Sequence, residues 1–180
     1  RHIALLPNGN LVLAGNASVG SDRKIITISY SITGQRLWTR YINGSDVNGS
    51  DDLIDVVASP DGSVIYGVSL DETSGRVDGY VRLAGANGAD QGFGIFTDAN
   101  GSNPFLDGIA VNTLGNPVMV GSFGGGAISV ANKNTGVNFL RRNTGVTAVS
   151  SEVVVDGSNN IFVYINEQTN DFVLSRKHAL

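Results

Sequence analysis

Residues 56–68 read VVASPDGSVIYGV: an apolar run, a Pro-Asp-Gly turn and a second apolar run. Proline presets φ in the turn, glycine accepts positive φ, and the flanking valine, isoleucine and tyrosine favour strands. The stretch is a β-hairpin. The same pattern returns at residues 3–15 (IALLPNGNLVLAG), 109–121 (IAVNTLGNPVMVG) and 153–165 (VVVDGSNNIFVYI). The residue after each turn is Asn10, Ser63, Asn116 and Asn160, giving spacings of 53, 53 and 44 residues. Strand-like units at such a period mean a repeat architecture. Gly9, Gly62 and Gly115 fill the turn position, and Asn159, the next residue best able to go left-handed, fills it in the fourth copy.

Each copy continues outward. A third strand is expected at residues 24–31, 78–83, 127–131 and 171–175, and a fourth at 36–42, 92–96 and 138–142. Between them lie the turns Thr33-Gly34, Asn87-Gly88 and Thr135-Gly136. No segment carries a helical apolar stripe. Four antiparallel strands in about 50 residues make a propeller blade, with strands A to D running outward from the centre. The expected fold is an all-β propeller of four-stranded antiparallel blades, with blade units at about 1–46, 47–99, 100–146 and 147–180. The fourth unit stops after its C strand and no spare N-terminal strand is present to complete it. About three and three-quarter blades of a larger propeller are the simplest expectation, with a compact four-bladed ring completed by another chain as the alternative.

Composition narrows the functions. A net charge of −4 lacks the basic stripe of a nucleic-acid binder. No apolar stretch approaches the roughly 20 residues that span a bilayer as a helix. Without cysteine there is no disulfide, thiolate metal site or cysteine nucleophile. The chain opens at Arg1-His2 inside a strand pattern with no visible signal peptide, so a mature, truncated or partial chain is expected.

Two resemblances follow from these motifs. Asp51-Asp52 before IDVVASPDGSVIYG, and FLDGIAVNTLGNPVMVGS at residues 105–122, resemble the bacterial and archaeal β-propeller repeat called SBBP. Residues 24–44, KIITISYSITGQRLWTRYING, resemble its C and D strands. The resemblance implies an extracellular or surface-exposed scaffold and assigns no catalytic residue. Thr33-Gly34-Gln35-Arg36-Leu37-Trp38 is also similar to the T-G-x-x-x-W signature of quinoprotein propellers, whose tryptophans dock neighbouring blades. The third unit has Leu140 in place of the tryptophan.

Candidate sites lie between the copies. Asp46-Val47-Asn48-Gly49-Ser50 recurs as Asp98-Ala99-Asn100-Gly101-Ser102 in the next D-to-A loop. Oxygens of Asp46, Asn48, Ser50, Asp98, Asn100 and Ser102 at alternating positions, with Asp52 or Asp107 added, fit a hard cation, and calcium is the candidate cofactor. A polar turn bonding its own backbone explains the same residues. Acceptor motifs for N-glycosylation stand at Asn16, Asn43, Asn48 and Asn100, all expected on one face because D-to-A and B-to-C connections emerge together.

Other features read more plainly. His2 and His178 lie at opposite ends of the chain and show no partner at a recognisable spacing. The glycine-rich 121–126 precedes a strand, so it lacks the helix N-terminus that a phosphate-binding loop needs. Arg141-Arg142 and Arg176-Lys177 suit solvated strand edges. Trp38, Tyr41, Phe93 and Phe96 fall on D-strand segments, where packing between blades and carbohydrate stacking are the two roles available.

The expected function is a non-enzymatic, extracellular or cell-surface scaffold or binding module, with a protein or glycan partner or self-assembly. The alternative is a propeller enzyme, a lyase, glycosidase or quinoprotein, with its site at the central mouth. Asp51, Asp52, Asp55, Asp107 and Glu152 near the A strands are its candidate carboxylates.

Overall fold

The computed structural model of the chain describes residues 1–46, 49–96, 105–123, 127–128, 131–132, 142–143, 148–167 and 172–177. Every regular element among them is a strand. The chain divides into two compact units, Arg1–Ile95 and Phe96–Leu180.

The first unit holds two sheets. One runs β1 (His2–Leu5), β2 (Leu11–Val19), β3 (Asp22–Tyr30) and β4 (Arg36–Ile42); the other runs β5 (Asp52–Ala58), β6 (Ser63–Glu72), β7 (Gly75–Ala84) and β8 (Asp90–Ile95). Both are antiparallel meanders whose strand order follows the chain. The A-to-B turns explain the repeated sequence. Gly9 and Gly62 sit at φ 83° and 82°. Their amides donate to Leu6 O and Ser59 O, while Leu6 N and Ser59 N donate to Asn10 O and Ser63 O. This is a type I turn followed by a left-handed residue, which joins strands through a three-residue loop. Gly34, at φ 82°, repeats it between β3 and β4.

One core joins the two sheets. Val12, Ile25, Trp38 and Ile42 of the first pack with Val56, Val64, Tyr66, Val68, Val81 and Leu83 of the second. Two polar contacts fix the register of this packing. The buried hydroxyls of Thr27 and Tyr66 meet at 2.7 Å. Trp38 Nε1 donates to Gly85 O at 2.9 Å, so the tryptophan of the T-G-x-x-x-W stretch docks the neighbouring blade.

The second unit repeats the scheme. β9 (Phe105–Val111) pairs with β10 (Pro117–Phe123), which pairs on its other side with β11 (Ala127–Ile128) and β12 (Ala131–Asn132). β11 also pairs with β13 (Arg142–Asn143). A further sheet runs β14 (Ala148–Val155), β15 (Ile161–Glu167) and β16 (Phe172–Lys177). Gly115 at φ 79° and Asn159 at φ 61° make the same turns. Ala110, Val118, Val120, Val153 and Val163 form the core.

The expected four-stranded antiparallel blades are present, with shifted bounds. The first C strand begins at Asp22 rather than Lys24, and the second begins at Gly75 rather than Asp78. Two-residue hairpins keep both ladders paired into polar residues that carry no strand signal. The third C strand appears as two pieces among the described residues. Most of the expected strand at 138–142 lies outside them.

Candidate functional site

The connection from β4 to β5 crosses one end of the first unit. The hairpins β2–β3 and β6–β7 turn at the same end, through Gly20-Ser21 and Thr73-Ser74. The expected clustering of D-to-A and B-to-C connections is therefore seen there.

Asp51 is the hub of this end. It is fully buried, and its Oδ2 accepts from Gly44 N at 2.9 Å while Oδ1 accepts from Asp71 N at 3.0 Å. Its amide donates to Arg23 O at 2.9 Å and its carbonyl accepts from Asn16 Nδ2 at 2.6 Å. One residue thus ties both hairpins to the crossing loop. Burial pushes the Asp51 carboxyl above its ordinary 3.8; the amides of Gly44 and Asp71 oppose this, and the charges of Asp22 and Asp71 add to it.

The surrounding carboxylates are also engaged. Ser45 donates to Glu72 Oε2 through both its amide, at 3.1 Å, and its hydroxyl. Ser50 N donates to Asp71 Oδ2 at 2.8 Å. Asp52 accepts from Asn16 Nδ2 at 3.0 Å and pairs with Arg23 at 2.7 Å. Asp22 pairs with Lys24 at 2.8 Å through Oδ2, while its buried Oδ1 has no hydrogen-bond partner among the described residues. Gly44 and Gly49 have a steric reason: a Cβ at Gly44 would collide with Asp71 O, and one at Gly49 would lie 2.6 Å from Asp71 Cβ.

The candidate calcium residues divide accordingly. Asp46 and Ser50 stand in a turn held to Asp71, with Asp46 N donating to Asp71 O and Gly49 N to Asp46 O, both at 3.2 Å. Asp52 faces Arg23 instead. Asn48, Asp98, Asn100 and Ser102 lie outside the described residues. Among the described residues, no group of three or more His, Cys, Asp or Glu is placed to hold a metal. Of the glycosylation candidates, Asn43 is exposed and its Nδ2 donates to Gly44 O at 3.0 Å. Asn16 lies within β2 rather than in a connection, because the Gly20-Ser21 hairpin lets the ladder run to its end. Its amide nitrogen is committed to Asp51 and Asp52.

One pair was missed by local spacing. His2 Nδ1 lies 2.9 Å from Asp55 Oδ1, on the A strands of adjacent blades, with side chains 34% and 38% exposed. The expectation that His2 has no partner is corrected here. The residues are 53 apart, the repeat spacing itself, so they occupy equivalent positions on neighbouring strands. The aromatic residues also separate. Trp38 and Phe96 are buried, whereas Tyr41 and Phe93 are 55% and 45% exposed.

No family model matches the sequence. No curated protein matches it either. Solved structures do. Hydrazine synthase of Kuenenia stuttgartiensis is similar over 97% of this chain and 58% of its own, with 15% identity and a TM-score of 0.67. A protein of unknown function from Bacteroides caccae is similar over 99% of this chain and 60% of its own, at 11% identity and a TM-score of 0.57. The Dos1 propeller is similar over 99% of this chain and 47% of its own, at 11% identity and a TM-score of 0.56. The chain therefore spans about half to three-fifths of the structures that it matches. At these identities the likeness concerns the fold alone, and that fold is a β-propeller.

Proposed function

We propose that the chain is a non-enzymatic binding module of SBBP-like type, extracellular or on the cell surface. It engages a protein or glycan partner through the loop end of its blades. One observation carries this reading: the carboxylates at that end hold backbone amides and neighbouring side chains. Asp51, Asp71 and Glu72 each accept from a loop amide, and Asp52 is paired with Arg23. Carboxylates used this way fix a polar surface in shape, and preorganised surfaces lose less entropy on binding. Calcium is not needed for it, since Arg23 already supplies the positive charge beside Asp52.

The enzyme reading has its own observation, the half-exposed His2–Asp55 pair on adjacent A strands. A histidine oriented by a carboxylate is the arrangement of a general base. Turnover assays on chromogenic glycosides, polyuronates and quinone-linked alcohol oxidation separate the two. The binding module gives no turnover above buffer. Turnover that disappears in His2→Ala and Asp55→Asn would overturn it. Protease shaving of intact cells, followed by peptide mass spectrometry, tests the location: peptides confined to the lysate of the shaved cells contradict a surface protein.

A further inference from the structure

We propose that the groove between the outer strands of the first two blades binds a neutral oligosaccharide. The proposal rests on the binding-module reading, adds the ligand class, and extends the binding surface from the loop end, at Asn43 and Glu72, along the outer strands. The groove measures about 640 Å3, within the range of small-ligand sites. Its floor is apolar, made by Ile42 of β4 with Leu70, Val81 and Leu83 of the second blade. Phe93 supplies an aromatic platform. It pairs with Val81 across the β7–β8 ladder, so its ring rises on the face that Val81 turns to the shared core. Trp38 and Phe96 are packed away, whereas Tyr41 also lines the groove and is exposed, so Phe93 and Tyr41 are the two rings that a ligand can meet there.

The rim decides the charge of the ligand. Arg40 alternates with Trp38 and Ile42 toward the second blade, and its Nε donates to Gly88 O at 3.1 Å. That bond uses one of the five guanidinium donors and holds the group beside the groove. Glu72 spends Oε2 on Ser45, leaving Oε1 as an acceptor. Asp90 spends Oδ1 on Gly92 N at 2.9 Å, leaving Oδ2. An anion entering the groove meets two carboxylates, and a cation meets the guanidinium. A neutral polyol satisfies both kinds of group, because each hydroxyl donates and accepts. A pyranose also offers the apolar C–H face that an aromatic ring takes. Alternating hydroxyl edges and apolar faces describe a saccharide.

The test is calorimetric titration of the chain with cellotetraose, maltotetraose, xylotetraose and mannotetraose. Chitosan tetramer and a polyuronate tetramer serve as charged comparisons. We expect at least one neutral tetraose to bind, and to bind more tightly than both charged tetramers. Phe93→Ala should weaken it about tenfold through lost stacking, and Glu72→Gln or Asp90→Asn should weaken it by a smaller factor. Leu114→Ala, at a residue 74% exposed in the second unit, should leave it unchanged. Each carboxylate-to-amide variant retains a side-chain oxygen to accept the local backbone amide, so the fold is kept. Absence of binding by every neutral tetraose, tighter binding of a charged tetramer, or unchanged binding by Phe93→Ala would overturn the proposal. Cleavage of a bound tetraose would support the groove while overturning the non-enzymatic reading.

Discussion

Asn159 takes the left-handed position that glycine holds in the other three hairpins, at φ 61°. Its side chain explains the exception. Oδ1 accepts from both the amide and the hydroxyl of Thr113 at 2.8 Å, joining the turns of adjacent sheets. Glycine would relieve about 1 kcal/mol of left-handed strain but remove two hydrogen bonds worth about 0.5–1.5 kcal/mol each. Asn159→Gly should therefore unfold at lower urea concentration than wild type, and a higher midpoint would refute this account. Asp51 and Asp61 give an opposed pair in pH. Asp51 is raised by burial, so its folded form holds the proton more tightly. Its favourable contribution is complete below the ordinary 3.8 and is lost as pH rises through the folded value. Burial also acts on Asp61, but hydrogen bonds from the hydroxyl and amide of Ser63 and the charge of Arg82 outweigh it and lower its pKa. Its contribution is present above 3.8 and is lost as pH falls through the folded value. Unfolding free energies measured from pH 2 to 7 should show wild type losing ground to Asp51→Asn on the alkaline side of 3.8, and to Asp61→Asn on the acid side. Parallel curves for the two variants would contradict the assigned shifts.

At the scale of elements, β3 and β6 are joined by a contact that neither strand needs for its own ladder. Thr27 and Tyr66 place hydroxyls 2.7 Å apart inside the core, and both residues are fully buried. Burial holds the phenol far above its ordinary range, so it stays protonated and able to donate. Tyr66→Phe leaves the Thr27 hydroxyl buried without its partner, costing about 1–3 kcal/mol. Thr27→Val strands the phenol in the same way. The double variant removes both polar groups, so its loss should fall short of the two single losses combined by about 0.5 kcal/mol or more, a coupling typical of contacting residues. Simple additivity in urea unfolding would show that the hydroxyls do not act as a pair. The strands themselves were legible because their periodicity and turn glycines are local: Gly9, Gly34, Gly62 and Gly115 all adopt the positive φ that their positions imply. Strand ends were less so. Asp22, Arg23 and the polar Asn16-Ala17-Ser18 join a ladder only because the Gly20-Ser21 turn closes it, and backbone pairing leaves little mark on side-chain pattern.

Across the whole chain, the repeat made some distant pairs predictable and left others hidden. His2 and Asp55 differ by one period, and so face each other on adjacent A strands. Aligning the copies residue by residue finds them, whereas searching for a local motif does not. The Asp51 hub has no such signal, because Gly44 lies on the β4–β5 connection while Asp71 and Arg23 lie near the turn ends of β6 and β3. Trp38 stands between these cases. Its T-G-x-x-x-W setting implied docking, and its indole reaches Gly85 in the next blade while the ring packs on Gly88, whose added Cβ would lie 3.0 Å from it. In repeat proteins, stability is largely a sum of repeat and nearest-neighbour terms. A residue that belongs to one blade but buries itself against the next contributes mainly to the neighbour term. Trp38→Leu keeps an apolar side chain on β4 but gives up the Gly85 hydrogen bond and much of the ring contact. The loss should be about 2–4 kcal/mol, at the scale of large-to-small core substitutions. It should also spread across blades: hydrogen exchange followed by mass spectrometry should show faster exchange in peptides from both β1–β4 and β5–β8. Ile32→Ala, at a residue 79% exposed in the turn before β4, should accelerate neither set beyond its local turn. Acceleration of β1–β4 alone in Trp38→Leu would mean that the indole stabilises its own blade and that the two sheets are held together by the aliphatic core without it.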